Sequence, residues 1–109
     1  MNNPFSFEVF RMILENDDTF PVDETLFYFD DEPENEREHY LGCLREYKTP
    51  YWIGYCDIKG GSEFYTASEL LNAKVFNGKS IKDRWEHLII EHIGGIPLES
   101  WLEFYGHKI

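Results

Sequence analysis

The sequence predicts an α+β fold. An antiparallel sheet of about four strands would surround a central hairpin at residues 39–58, with N-terminal and C-terminal helices packed on it. Three observations lead there. His39 to Ile58, HYLGCLREYKTPYWIGYCDI, is the densest run of β-forming side chains in the chain. Apolar residues recur at helical spacing near both ends, as Phe7, Phe10, Ile13 and Leu14, and as Leu98, Trp101, Leu102 and Tyr105. Between them, Thr25 to Phe29 (TLFYF) reads as a short strand.

At the N-terminal end, Ser6 is a fitting cap for the first helix. Glu8 in the first turn complements the helix dipole, and Asn16-Asp17-Asp18 ends the helix. After the TLFYF strand, Asp30 to Glu38 is too charged for a core element, and Pro33 marks it as a loop. The hairpin comes next, with Lys48-Thr49-Pro50 as its turn, since proline cannot donate to a ladder. On its second arm Tyr51, Ile53 and Tyr55 alternate with Trp52, Gly54 and Cys56. On its first arm Tyr40, Gly42 and Leu44 alternate with Leu41, Cys43 and Arg45. Neither face is cleanly polar. The hairpin is therefore either covered on both faces, the plainer reading, or leaves an aromatic patch in water.

With a turn centred near Thr49, Cys43 falls opposite Ile53 or Gly54 rather than Cys56. Two free thiols are expected, and Tyr55 is placed to fill the gap over Gly42. Lys59-Gly60-Gly61-Ser62 is a turn, and Glu63-Phe64-Tyr65 is a fourth strand or its stub. Thr66-Ala67-Ser68-Glu69 has the form of a capping box before a short helix through Leu70, Leu71 and Ala73. Asn77-Gly78 makes a turn, and Ser80 caps the next helix, with Asp83 in its first turn. Residues 81–86 read as a short helix feeding a strand at 87–93, with one continuous helix as the alternative. Pro97, after Gly94-Gly95, opens the last helix, and Gly106 stops it.

At 109 residues the chain, residues 1–109, is expected to form one domain. Its 17% aromatic content argues against wholesale disorder. No apolar run is long enough for a membrane span, and MNNPFSFEVF lacks a basic leader. With two unpaired cysteines, the expected location is cytoplasmic. The formal charge is −11, and its placement is uneven. Residues 1–40 carry twelve acids against two bases, whereas the rest carries nine acids and eight bases. Such a field repels nucleic acid and anionic lipid and attracts a basic partner.

The motifs that carry chemistry fit poorly. The acidic loop lacks glycine at the sixth position from Asp30 and the closing glutamate of a calcium loop. Gly78-Lys79-Ser80 resembles the end of a phosphate-binding loop, but Ala73 stands where that loop needs glycine. His87, Glu91 and His92 have metal-ligand chemistry at the wrong spacing, with the histidines five apart. Cys43 and Cys56 lie in apolar strand sequence, and His39 and His107 have no recognisable partner. Catalytic, cofactor and metal residues are therefore all expected to be none.

The sequence points instead to a small acidic binding module of the inhibitor, immunity or nucleic-acid-mimic kind, engaging a basic protein. The expected contact residues are Asp30, Asp31, Glu32, Glu34, Glu36 and Glu38, with Tyr51, Trp52 and Tyr55 as aromatic anchors. The alternatives are a homo-oligomeric assembly protein and, third, an unrecognised small enzyme.

Overall fold

A computed structural model of the chain describes residues 3–109; Met1 and Asn2, included in the expected domain, lie outside them. Among the described residues there are three α-helices and six strands. They are α1 (Phe7–Glu15), β1 (Thr25–Phe29), β2 (His39–Cys43), β3 (Tyr51–Gly54), β4 (Ser62–Phe64), α2 (Ala67–Asn72), β5 (Leu88–Ile93), β6 (Ile96–Pro97) and α3 (Leu98–Tyr105). Short 3₁₀ turns occupy Glu34–Glu36, Trp85–His87 and Gly106–Lys108. The fold is α+β with an antiparallel sheet, as expected, but the sheet has six strands, in the order β4-β3-β2-β1-β5-β6.

The expected stub at Glu63 is an edge partner of β3, pairing Trp52 with Glu63, and β5 is the strand read at 87–93. The strand beyond these, β6, has a local cause. Gly94 and Gly95 have φ of 60° and 74°, the left-handed pair that a two-residue hairpin turn requires. They fold Ile96–Pro97 back onto β5 before Pro97 caps α3.

The caps act where the sequence places them. The Ser6 hydroxyl accepts from Val9 N–H at 3.2 Å, and the Thr66 hydroxyl from Glu69 N–H at 3.1 Å. The stretch after Ser80 is a turn running into the Trp85–His87 3₁₀ turn, not a full helix, and the strand then begins at Leu88. The ambiguity there has a physical source. A β-bulge inserts Glu91 opposite the Leu26/Phe27 step, so Leu88, Ile90 and Ile93 all face the core. Ile90 and Ile93, three apart, imitate helical spacing.

The hairpin register is also corrected. Cys43 pairs with Tyr51, not with Ile53 or Gly54, and Tyr40 pairs with Gly54. The connection is a seven-residue loop centred on Tyr47, closed by Leu44 N–H on the Pro50 carbonyl at 2.8 Å. Pro50 ends the loop and is not its apex. Trp52, not Tyr55, lies across from Gly42 and covers it. The thiols are free, with Cys43 buried and Cys56 half-buried.

The two sheet faces differ. Phe27, Phe29, Leu41, Ile53, Leu88, Ile90 and Ile93 turn toward the helices, joining Phe10, Ile13, Leu14, Leu70, Leu71 and Trp101 in one core. Trp101 stacks on Phe20 at 5.8 Å and meets Phe5 edge-on at 5.9 Å, which ties the two ends of the chain together. The other face carries Leu26, Tyr28, Tyr40, Trp52 and Ile89, all half-buried. Among the described residues none of these belongs to the core or packs against it. The plainer expectation, a hairpin covered on both faces, gives way to a sheet covered on one. Among the described residues no helix is long and apolar enough to cross a membrane.

This packing yields two expected outcomes. A Cβ on Gly42 would overlap the Asp23 carbonyl, and Trp52 lies against the same point. Gly42→Ala should therefore cost about 2 kcal/mol in urea unfolding; unchanged stability would contradict the close approach. Asp83 bonds Lys74 at 2.6 Å and Ser80 N–H at 3.0 Å. These contacts, the lysine first, hold its carboxyl down from 3.8 to about 2. Because the folded value is depressed, the stabilisation is present above 3.8 and is lost as pH falls through about 2. Asp83→Asn should lower Tm at neutral pH and flatten the acid limb of the Tm profile over that interval.

Candidate functional site

The candidate site is built where the acidic loop returns to the sheet. At the end of β1 the chain turns, with Glu32 N–H donating to the Phe29 carbonyl at 3.0 Å. The Glu32 carboxylate then folds back and accepts Phe29 N–H at 2.8 Å. This aims Glu32 at His39, the first residue of β2, whose Nε2 lies 2.8 Å from Glu32 Oε2. The other ring nitrogen, Nδ1, lies 2.6 Å from the Tyr55 carbonyl. His39 is 7% exposed and sits among Phe27, Phe29 and Phe76, with the Phe76 ring edge-on at 5.0 Å.

Both partners of His39 are acceptors, and a neutral imidazole has one N–H. His39 therefore acts as a strut, with neither nitrogen open to a substrate proton unless a bond breaks. Spacing along the sequence gives His39 no partner. One usable signal is there: His39 shares the inward parity of Leu41 and Cys43, and a buried histidine needs a polar partner.

The strut holds an unusual residue. Tyr55 comes just after β3 with φ of 56°, a conformation that a bulky L-residue adopts only at a cost of about 1–2 kcal/mol. Its ring is 67% exposed and lies 5.6 Å from the Tyr40 ring. Tyr40 donates its hydroxyl to Glu38 at 3.0 Å, and that carboxylate raises the phenol above its ordinary value. Tyr55 divides two shallow hollows. One, of about 370 Å³, is formed with Glu24, Tyr40 and Trp52 on the open sheet face. The other, of about 250 Å³, is bordered by Glu36, Cys56, Asp57 and Phe76.

The expected contact residues separate into groups. Trp52 and Tyr55 share the first hollow. Tyr51 is 4% exposed and faces the core, where its hydroxyl donates to the Leu14 carbonyl at 3.3 Å, so it stands apart from the surface. Asp30 bonds His87 at 2.8 Å, and Asp31 pairs with Arg84, whose guanidinium lies 4.3 Å over the Phe29 ring. Glu32 is turned inward to His39. Glu34 and Glu36 lie on the exposed 3₁₀ turn, and Glu38 is exposed beside Tyr40. Among the described residues Glu24, Glu34, Glu36, Glu38 and Asp57 form no salt bridge. The acidic segment is thus half anchor and half open surface.

Other chemistry can be placed too. Asp30, Asp31 and His87 bring ligand atoms within 4.8 Å of one another, a grouping that spacing along the chain hides. Each already has a partner in the Asp30–His87 and Asp31–Arg84 pairs, and the Arg84 charge opposes a cation there. Burial pushes the Cys43 thiol up, away from the thiolate that a nucleophile needs.

His39→Phe keeps the ring volume but takes away the His39 partner of the Tyr55 carbonyl and leaves the Glu32 carboxylate with the Phe29 N–H alone. A loss of about 2–3 kcal/mol is expected, with faster amide exchange at residues 55–57. Glu32→Gln, which can still accept from His39, should lose less. Native protection of the Tyr55 turn in His39→Phe would show that the strut is dispensable. No protein-family model, no curated protein and no solved structure matches this chain.

Proposed function

We propose that the protein is a small acidic binding module that engages a basic protein surface. The contact centres on Tyr55, with Tyr40 and Trp52 as further anchors and Glu24, Glu34, Glu36, Glu38 and Asp57 as the surrounding charge. The observation that carries the reading is Tyr55 itself. A large aromatic is held in a left-handed conformation by a buried His39 contact and presented to solvent. Backbone strain retained at an exposed side chain is a mark of a functional position. Exposed Tyr and Trp are the side chains that anchor interfaces, and unpaired carboxylates around them steer a cationic partner and set its register.

The same field opposes phosphate backbones, so nucleic acid is a poor partner. A protein that itself imitates nucleic acid, an inhibitor, or an immunity protein would all use such a surface. The free thiols fit a reducing compartment, and we place the protein in the cytoplasm on that ground.

The test is affinity capture from a native lysate at low and high salt, with variants whose Tm is unchanged. Glu34→Gln/Glu36→Gln/Glu38→Gln together should weaken capture about tenfold at low salt and flatten its salt dependence. Tyr55→Ala should abolish it at any salt, since truncating a central anchor costs about 2 kcal/mol or more. A partner held equally by wild type and both variants, and indifferent to salt, would remove this reading.

A further inference from the structure

Among the described residues no helix lies on the open face of the sheet, although the opposite face carries α1, α2 and α3. Resting on the binding-module reading, we propose that this face seats a cationic amphipathic helix of the partner, completing a third layer. Trp52, Tyr40, Leu26 and Ile89 lie on β3, β2, β1 and β5, which are consecutive neighbours in the sheet. They form an oblique apolar strip over four strands: Leu26 pairs with Tyr40, whereas Trp52 pairs with Gly42 and Ile89 with Tyr28, two residues to either side of that pair. Its ends lie roughly 20 Å apart, a distance that about 13 residues of helix span. Tyr28, next to the strip, is already roofed by the Arg37 guanidinium 5.2 Å above its ring.

Charge selects the occupant. Glu24 and Glu38 border the strip beside Tyr40, and Glu63 stands opposite Trp52 on β4. The basic side chains on this face are Arg37 and His92. Arg37 is held by the Glu32 and Asp30 carbonyls at 2.8 and 2.9 Å, and His92 sits on β5 opposite Leu26 and Pro97. A helix with an apolar stripe and lysines or arginines along both sides meets both features at once. A second copy of the chain does not: with a charge of −11 on each copy, a twofold interface would set the bordering glutamates against an equally acidic surface. Addition of a strand is also a poor fit, because the edge strands β4 and β6 have three and two residues.

The experiment titrates the ¹⁵N-labelled protein with a designed Leu/Lys amphipathic peptide of about 18 residues, and repeats it by calorimetry. Saturable binding is expected, with shifts at the Leu26, Tyr40 and Ile89 amides and the Trp52 indole. Ile89→Glu is the decisive variant, since it adds an attractive charge while removing an apolar contact. It should weaken binding about tenfold, and Leu26→Ala should act in the same direction if either variant proves poorly folded. Equal or tighter binding by Ile89→Glu overturns the helix seat. If Glu38→Gln and salt weaken binding but Ile89→Glu does not, the acidic module stands and the helix seat falls. No saturable binding discards both. A dimer in light scattering that Ile89→Glu dissociates assigns the face to a second copy and overturns the proposal.

Discussion

The pairing of β1 with β5 is the constraint on which the molecule depends. It joins residues 25–29 to residues 88–93, so the sheet closes only when the last third of the chain returns to the first. Phe27 and Phe29 are buried on β1 between β2 and β5, and losing either ring would cost about 3–5 kcal/mol. The same pairing sets the electrostatics. Asp30 N–H donates to the His87 carbonyl at 2.8 Å, which extends the ladder one step and lays Asp30 and Asp31 against His87 and Arg84. Arg45, on the loop after β2, reaches back to Asp17 in the same way. A charge imbalance that looks extreme along the chain is partly resolved in space, because bases beyond residue 40 meet acids before it.

The charge left over is therefore selective. The acids at the root of the loop are engaged by Arg84, His87 and His39, whereas those at its tip and just before β2 form no salt bridge. The His39 strut connects these two populations. It links the Glu32 carboxylate to the Tyr55 carbonyl, 7 residues before and 16 residues after His39, through a ring packed among phenylalanines. A buried polar contact of this kind is weak evidence for stability, since desolvation offsets much of the attraction. Its plainer role is geometric: it determines where Tyr55 sits relative to the loop.

Much of the fold is legible from local chemistry. Ser6 and Thr66 announce their caps by side-chain type, Ser80 closes a turn on Asp83 N–H where a helix is expected, and α1 and α3 obey their apolar spacing. The departures share one cause: position along the chain does not reveal the partner across the sheet. Pro50 has the chemistry of a turn apex, but the strand partner of Cys43 is Tyr51, which moves the centre to Tyr47. Gly94-Gly95 has the form of a helix boundary, because a two-residue strand after it has no pattern of its own. Leu88 to Ile93 looks half helical, because the Glu91 bulge exists only opposite β1. Of the site, Trp52 is visible in the sequence as an aromatic that an uncovered strand face would expose. Alternation groups Tyr55 with Tyr51 and Ile53, which are buried, and Tyr55 joins Trp52 only because the chain leaves β3 with a φ of 56°. The burial of Tyr51 is not legible either, since alternation alone does not say which face is buried. The Glu32–His39–Tyr55 connection depends on tertiary contact and leaves only the inward parity of His39 as a trace.

The contrast between the two faces of one sheet carries the functional argument furthest. Solubility alone would account for the acids, but it does not account for where the rings are. The chain has ample aromatic material, and it places Trp101, Phe5, Phe20 and Phe10 on the helical side so that the face there is sealed. Across the sheet it leaves Trp52 and Tyr40 half-covered and supports Tyr55 in a costly backbone conformation beside them. A purely structural sheet face is stable with threonine or charged residues at such positions, as the alternation of ordinary one-sided sheets shows. Rings kept there, under a border of glutamates without salt bridges, suit contact with something both apolar and cationic. Neither property alone explains the combination, and a surface shaped by solubility would have discarded the first.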